Sequence, residues 1–169
     1  GGDQFLIKPF NPVLLAAVVK TKIERFRETQ RSTRIDGLTG LLNHTAAKSQ
    51  LKTMASGLTS TASRTNSLTV AMIDIDHFKS INDQVIRGLA WLLKGRLRTS
   101  DMIGRYGGEE FLVALPDVSP DKAREVIDRI REDFASLPHA HPSGALFATF
   151  SAGVASFPDF DTGENLTEA

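Results

Sequence analysis

Cysteine is absent from the 169-residue chain, which removes disulfides, thiolate zinc sites and cysteine nucleophiles together. That suits a cytoplasmic setting. An excess of charge of either sign is absent as well, since 20 Lys and Arg balance 20 Asp and Glu. Zero net charge supplies no global basic field for nucleic acid or for an anionic membrane surface, although a local cationic site is compatible with it. No apolar run approaches the roughly 20 residues that a spanning helix needs, and the first residues do not read as a signal peptide. The expectation is a chain without nucleic acid or membrane as a partner, long enough for one core and an appendage.

What is present alternates between strand-like and helix-like patterns. Gln4-Phe-Leu-Ile7 reads as a short strand ending at the Lys8-Pro9 turn. Asn11 and Pro12 then open a helix to about Thr33, apolar almost all round at first and exposed later. Asp36-Gly-Leu-Thr-Gly40 breaks that helix, and Asn43 caps another running to roughly Gly57. A Ser- and Thr-rich loop leads to a strand at Leu68–Ile73, helical patterns at His77–Asn82 and Val85–Leu97, and a hairpin around Gly107. Asp117-Val-Ser-Pro120 caps a helix to about Leu137, Pro138 to Gly144 reads as loop, and Leu146 to Ala155 as one strand. The architecture implied is α/β in the α+β sense: a mostly antiparallel sheet with helices on one face or both, preceded by an N-terminal linker helix.

Asp74, Asp76, Glu109 and Glu110 are the main candidates for chemistry. The first two stand where a strand ends, and the other two at a hairpin bend beside Gly107 and Gly108. Either pair alone is ordinary for exposed strand ends and turns. Together they suit Mg2+, which takes one or two protein carboxylates plus substrate phosphate oxygens. Phe78 and Lys79 follow at an expected helix start, where free N–H groups and an ammonium favour phosphate. Asn82 can both donate to and accept from a base edge, but also cap a helix. Arg98 and Asp101, three residues apart, read by themselves as a surface ion pair. His44, His139 and His141 have no ligand-like spacing and read as surface or loop residues.

The stretch Arg105-Tyr-Gly-Gly-Glu-Glu-Phe111 resembles the signature of GGDEF domains, the diguanylate cyclases. Asp36-Gly-Leu-Thr-Gly-Leu-Leu-Asn43, Asp74-Ile-Asp-His-Phe-Lys-Ser-Ile-Asn-Asp83 and Phe150-Ser-Ala-Gly-Val-Ala155 match further family motifs in the right order. The resemblance implies a nucleotide-cyclase-like sheet flanked by helices, with the Gly-Gly-Glu-Glu-Phe motif on a hairpin. It implies condensation of two GTP into cyclic di-GMP with release of pyrophosphate, Mg2+ or Mn2+ as cofactor, and a homodimer for turnover. Asp74, Glu109 and the Ile75 carbonyl would hold the metal, Glu109 would act as base, Glu110 would add a metal contact, and Glu109, Glu110 and Lys79 would be the catalytic residues. Gly107, Gly108, Phe78 and Lys79 would bind substrate phosphates, Asn82 the guanine, and Arg98 and Asp101 cyclic di-GMP as inhibitor. Residues 1–33 are similar to the end of a response-regulator receiver with Lys8 as its switch lysine, which implies an upstream sensor kinase, and 34–169 would form the GGDEF domain.

Two departures from the family pattern stand out. The loop of about eight residues that follows the Asn-Asp of the second motif, with its further guanine contact, has no counterpart between Asp83 and Gln84. Ala169 likewise precedes the family's final helix. The expectation is that the protein carries further residues at both places and ahead of Gly1. The competing expectation is an inactive module that binds GTP or cyclic di-GMP as a receptor, and a third is a nucleotidyl transferase of another kind.

Overall fold

The computed structural model describes residues 20–22, 34–58, 67–76, 83–141 and 144–157. The chain divides into two compact units, Gly1–Arg34 and Ile35–Ala169. In the first, residues 20–22 are helical. The strand expected at Gln4–Ile7, Lys8 and the remainder of the expected linker helix lie outside the described residues, as does the helical pattern at His77–Asn82.

The second unit runs α1 (His44–Leu58), β1 (Leu68–Ile75), α2 (Asp83–Arg96), β2 (Met102–Arg105), β3 (Glu110–Pro116), α3 (Pro120–Ser136), β4 (His139–His141), β5 (Gly144–Leu146) and β6 (Phe150–Ser156). Two of its helices begin as the caps predict. Asn43 Oδ1 accepts from the Ala46 N–H at 2.9 Å to start α1, and Ser119 caps α3 with Pro120 in the first turn.

The main sheet has the order β2-β3-β1-β6, with every neighbouring pair antiparallel. Its two central strands are apolar on both faces, because helices cover both sides. Ala71, Ile73, Ile75, Phe111, Val113 and Leu115 join Leu89 and Leu93 of α2 and Ile127, Ile130 and Phe134 of α3 in the larger core. Leu68, Val70, Leu112 and Ala114 face Ala47, Leu51 and Ala55 of α1 in the smaller one. Gly104 permits the close approach of α1, since a Cβ there would stand 2.5 Å from that of Ala47. This arrangement is the helix-flanked sheet with a motif-bearing hairpin that the sequence leads one to expect.

Two details of the C-terminal half differ from expectation. Pro138 to Gly144 is not simply loop, because His139–His141 pairs with Gly144–Leu146 as a separate two-stranded ribbon. The strand expected from Leu146 to Ala155 is correspondingly broken at residues 147–149, and β6 begins only at Phe150. Tertiary packing makes this choice, since His139 is not a surface residue but 5% exposed. Its ring lies on Phe134, centroids 5.2 Å apart, and against Gly88 of α2, where a Cβ would come within 2.6 Å of Cε1. His44, by contrast, is exposed as expected, with its ring 4.4 Å from that of Tyr106.

Candidate functional site

Antiparallel register brings the acidic motifs together at one end of the sheet. Asp74 of β1 stands opposite Glu110 of β3 on one side and Ser151 of β6 on the other. One step further, the Ile75 N–H donates to the Glu109 carbonyl at 3.4 Å. Because a strand residue's N–H and C=O point to the same neighbour, the Ile75 carbonyl also faces β3 and the hairpin bend. The side chain of Asp74 is exposed and accepts no hydrogen bond from a described residue.

The hairpin that carries Glu109 is tied down from outside. Its bend closes with N–H groups of Tyr106 and Gly107 donating to the Glu110 carbonyl at 2.7 and 3.2 Å. The Glu110 carboxylate folds over Gly107, where a Cβ would collide with Oε2 and lie 3.1 Å from Cδ. Glycine here allows that close approach rather than an unusual dihedral. Arg105 holds the next residue, its Nε and Nη2 donating to the Gly108 carbonyl at 3.2 and 2.7 Å. The same guanidinium reaches Asp36 Oδ2 at 3.3 Å. Asp36 is fixed in turn by the Thr39 N–H at 2.9 Å and the Thr39 hydroxyl at 2.7 Å. Burial pushes the Asp36 pKa up, but those two hydrogen bonds and the Arg105 charge outweigh it and hold the carboxyl below its usual value. Arg105 and Asp36 as a strap on the Gly-Gly turn are absent from the sequence reading, because no short-range spacing links them.

Asp76 does not join the other acids in the way the sequence suggests. Thr149 and Ser151 donate to its two carboxylate oxygens at 2.6 and 2.8 Å, so it is committed to β6 and the segment before it. Among the described residues no cluster of three His, Cys, Asp or Glu could hold a metal. An ion that borrows ligands from its substrate would have Asp74, Glu109 and the Ile75 carbonyl as its protein oxygen donors. Phe78, Lys79 and Asn82 lie outside the described residues. Asp83 and Gln84 form the first turn of α2.

Arg98 and Asp101 occupy the turn between α2 and β2. They make no guanidinium–carboxylate ion pair: the Arg98 backbone N–H donates to Asp101 Oδ2 at 2.7 Å, and the Asp101 N–H returns to the Arg98 carbonyl at 3.0 Å. Asp101 Oδ1 is buried without a hydrogen-bond partner. Both residues line a cavity of about 380 Å³ together with Gln50, Lys94, Leu97 and Ile103.

Residues 33–169 match the profile of the family described as "Diguanylate cyclase, GGDEF domain". The chain belongs to the GGDEF family. A GGDEF relative, the diguanylate cyclase DgcP of Pseudomonas aeruginosa, is 36% identical over 141 residues, covering 79% of this chain and 21% of its own. The response regulator PleD of Caulobacter vibrioides is 35% identical over 187 residues, covering 98% of this chain and 40% of its own. This GGDEF chain thus spans well under half the length of these two curated relatives. Among solved structures, the GGDEF domain of DgcB from Caulobacter crescentus in complex with c-di-GMP is 28% identical with a TM-score of 0.68, covering 79% of this chain and 81% of that one. The diguanylate cyclase SiaD of Pseudomonas aeruginosa, in complex with its activator SiaC, gives a TM-score of 0.67 at 28% identity, covering 85% and 60%. Among the described residues no helix is long and apolar enough to cross a membrane.

Proposed function

We propose that the protein is a Mg2+-dependent diguanylate cyclase that condenses two GTP into cyclic di-GMP and two pyrophosphates. The observation that carries this reading is the register that sets Asp74 and the Ile75 carbonyl beside Glu109 and Glu110. Asp74, Glu109 and the Ile75 carbonyl would hold the metal, and Mn2+ would be an acceptable substitute. A bound divalent ion supplies neutralisation of the charge that develops on the α-phosphate. Glu109 accepts the proton of the attacking 3′-hydroxyl as the new O–P bond forms and pyrophosphate leaves with the electrons of the broken one. Gly107 and Gly108 are assigned to phosphate on the motif alone, and the Glu110 carboxylate, folded over Gly107, braces the bend. Phe78, Lys79 and Asn82 are assigned to phosphate and guanine on the motif alone. Each domain presents one GTP, so two chains must meet for turnover.

Arg98 and Asp101 are assigned to product inhibition. The buried free Oδ1 of Asp101 and the adjoining cavity support a ligand there. Residues 1–33 are assigned to the end of a receiver whose phosphorylation by a sensor kinase controls the pairing of two cyclase domains. The alignment with a response regulator over 98% of the chain supports this. The alignment with DgcP takes in fewer residues of this chain than its 141 positions, as residues without a counterpart here require.

The test is incubation of the protein with GTP and Mg2+ beside a Glu109→Gln variant. Cyclic di-GMP from the native chain and none from the variant is the expected result. No product from the native protein under activating conditions, with GTP still bound, overturns the enzyme reading in favour of a receptor.

A further inference from the structure

Asp76 is left without a role by the site just described, although it stands two residues from Asp74. Its surroundings assign it one. Thr149 Oγ1 donates to Oδ2 at 2.6 Å and Ser151 Oγ to Oδ1 at 2.8 Å, so each carboxylate oxygen holds one hydroxyl. Its own N–H donates to the Thr149 carbonyl at 2.9 Å. Ser151 is the register partner of Asp74, yet its hydroxyl is spent on Asp76 rather than on Asp74.

We infer that Asp76 is a positioning residue, latched by Thr149 and Ser151, that fixes the Asp74–Ile75 end of β1 for divalent-cation binding and is not itself a ligand. The inference rests on the metal site proposed above. Its geometry is a grip from two sides. On one side the Ile75 N–H is held by the Glu109 carbonyl, and on the other the next residue is bound to Thr149 and Ser151 through three hydrogen bonds. The peptide between Ile75 and Asp76 cannot rotate without breaking one set or the other. Its carbonyl is the proposed backbone ligand, and Asp74 is attached directly before it. Outer hydrogen-bond partners of this kind set ligand direction, and their loss commonly weakens metal binding by about 10–100-fold.

The test removes the donors and leaves every acid in place. In Thr149→Val/Ser151→Ala, Mn2+ binding is titrated by electron paramagnetic resonance with 3′-deoxy-GTP present, which binds but cannot condense. Thermal midpoint and amide exchange at Ile75 and Asp76 are measured alongside. Both positions are exposed, so the variant is expected to fold. The expected result is a Mn2+ dissociation constant raised about tenfold with faster exchange at those amides and little change in midpoint. Asp76→Asn, which can still accept one hydroxyl, should fall between native and double variant, whereas Asp74→Asn should lose the ion. Native Mn2+ affinity in the double variant overturns the inference, as does an Asp76→Asn variant that loses the ion as fully as Asp74→Asn. If the native chain binds no Mn2+ while its amides stay protected, the metal site itself fails and the inference falls with it.

Discussion

Arg105 and Asp36, 69 residues apart in sequence, meet at 3.3 Å, and the same guanidinium holds the Gly108 carbonyl at 2.7 Å. The turn that enters the domain and the bend that carries Glu109 are thereby joined through one side chain. Substituting Arg105→Ala frees the Gly108 carbonyl and leaves Asp36 with Thr39 alone. Turnover should fall about tenfold or more through a misplaced bend. The thermal midpoint should drop only slightly, because partly exposed pairs contribute roughly 1 kcal/mol or less. Asp36 also sets a pH dependence. Its folded pKa is lowered, so its contribution is fully present above the ordinary carboxylate range and is lost as pH falls through the folded value. Urea unfolding of native and Asp36→Asn protein should differ at neutral pH and converge in strong acid.

Gly107 touches the Glu110 carboxylate so closely that any β-carbon displaces it. What must move is the end of a flexible side chain, not backbone. Gly107→Ala should therefore fold with nearly native stability and yet lose cyclase activity. A matched loss of midpoint and activity, read by calorimetry and product assay, would instead mark the glycine as a folding requirement.

His139 gives the ribbon β4–β5 its anchor on α2 and α3. Desolvation lowers its pKa, and its Nε2 has no hydrogen-bond partner. The unfolded chain therefore binds the proton first, and stability should decline as pH falls below the ordinary histidine value of about 6.5. In His139→Leu the decline between pH 7.5 and 5, as urea midpoints, should be shallower. Gly88→Ala, which drives a methyl into the ring, should cost roughly 1–3 kcal/mol at all pH values.

At the turn between α2 and β2, Arg98→Ala removes a charged donor from the proposed inhibitory site. The cyclic di-GMP concentration for half-inhibition, scaled to the variant's own uninhibited rate, should rise about tenfold or more. An unchanged constant would detach this turn from product inhibition.

Local chemistry alone determined much of this protein. Asn43 and Ser119 place helix starts, the apolar runs at Leu68–Ile73 and Phe111–Leu115 dictate buried strands, and Gly107-Gly108 with flanking alternation dictates a hairpin. Those signals act over a few residues, so they survive in any context. Tertiary structure decided which groups share a site. Composition and strand position treat Asp74 and Asp76 alike, but only Asp76 meets two hydroxyls about 75 residues away, and among the described residues none donates to the Asp74 carboxylate. His139 follows a proline in a polar stretch, yet the absence of a side chain at Gly88 gives its ring a buried seat that makes a strand out of an expected loop. The physical reason is common to both: a hydrogen-bond partner or a packing vacancy is supplied by the folded neighbour across the sheet or helix face, and no local propensity encodes it.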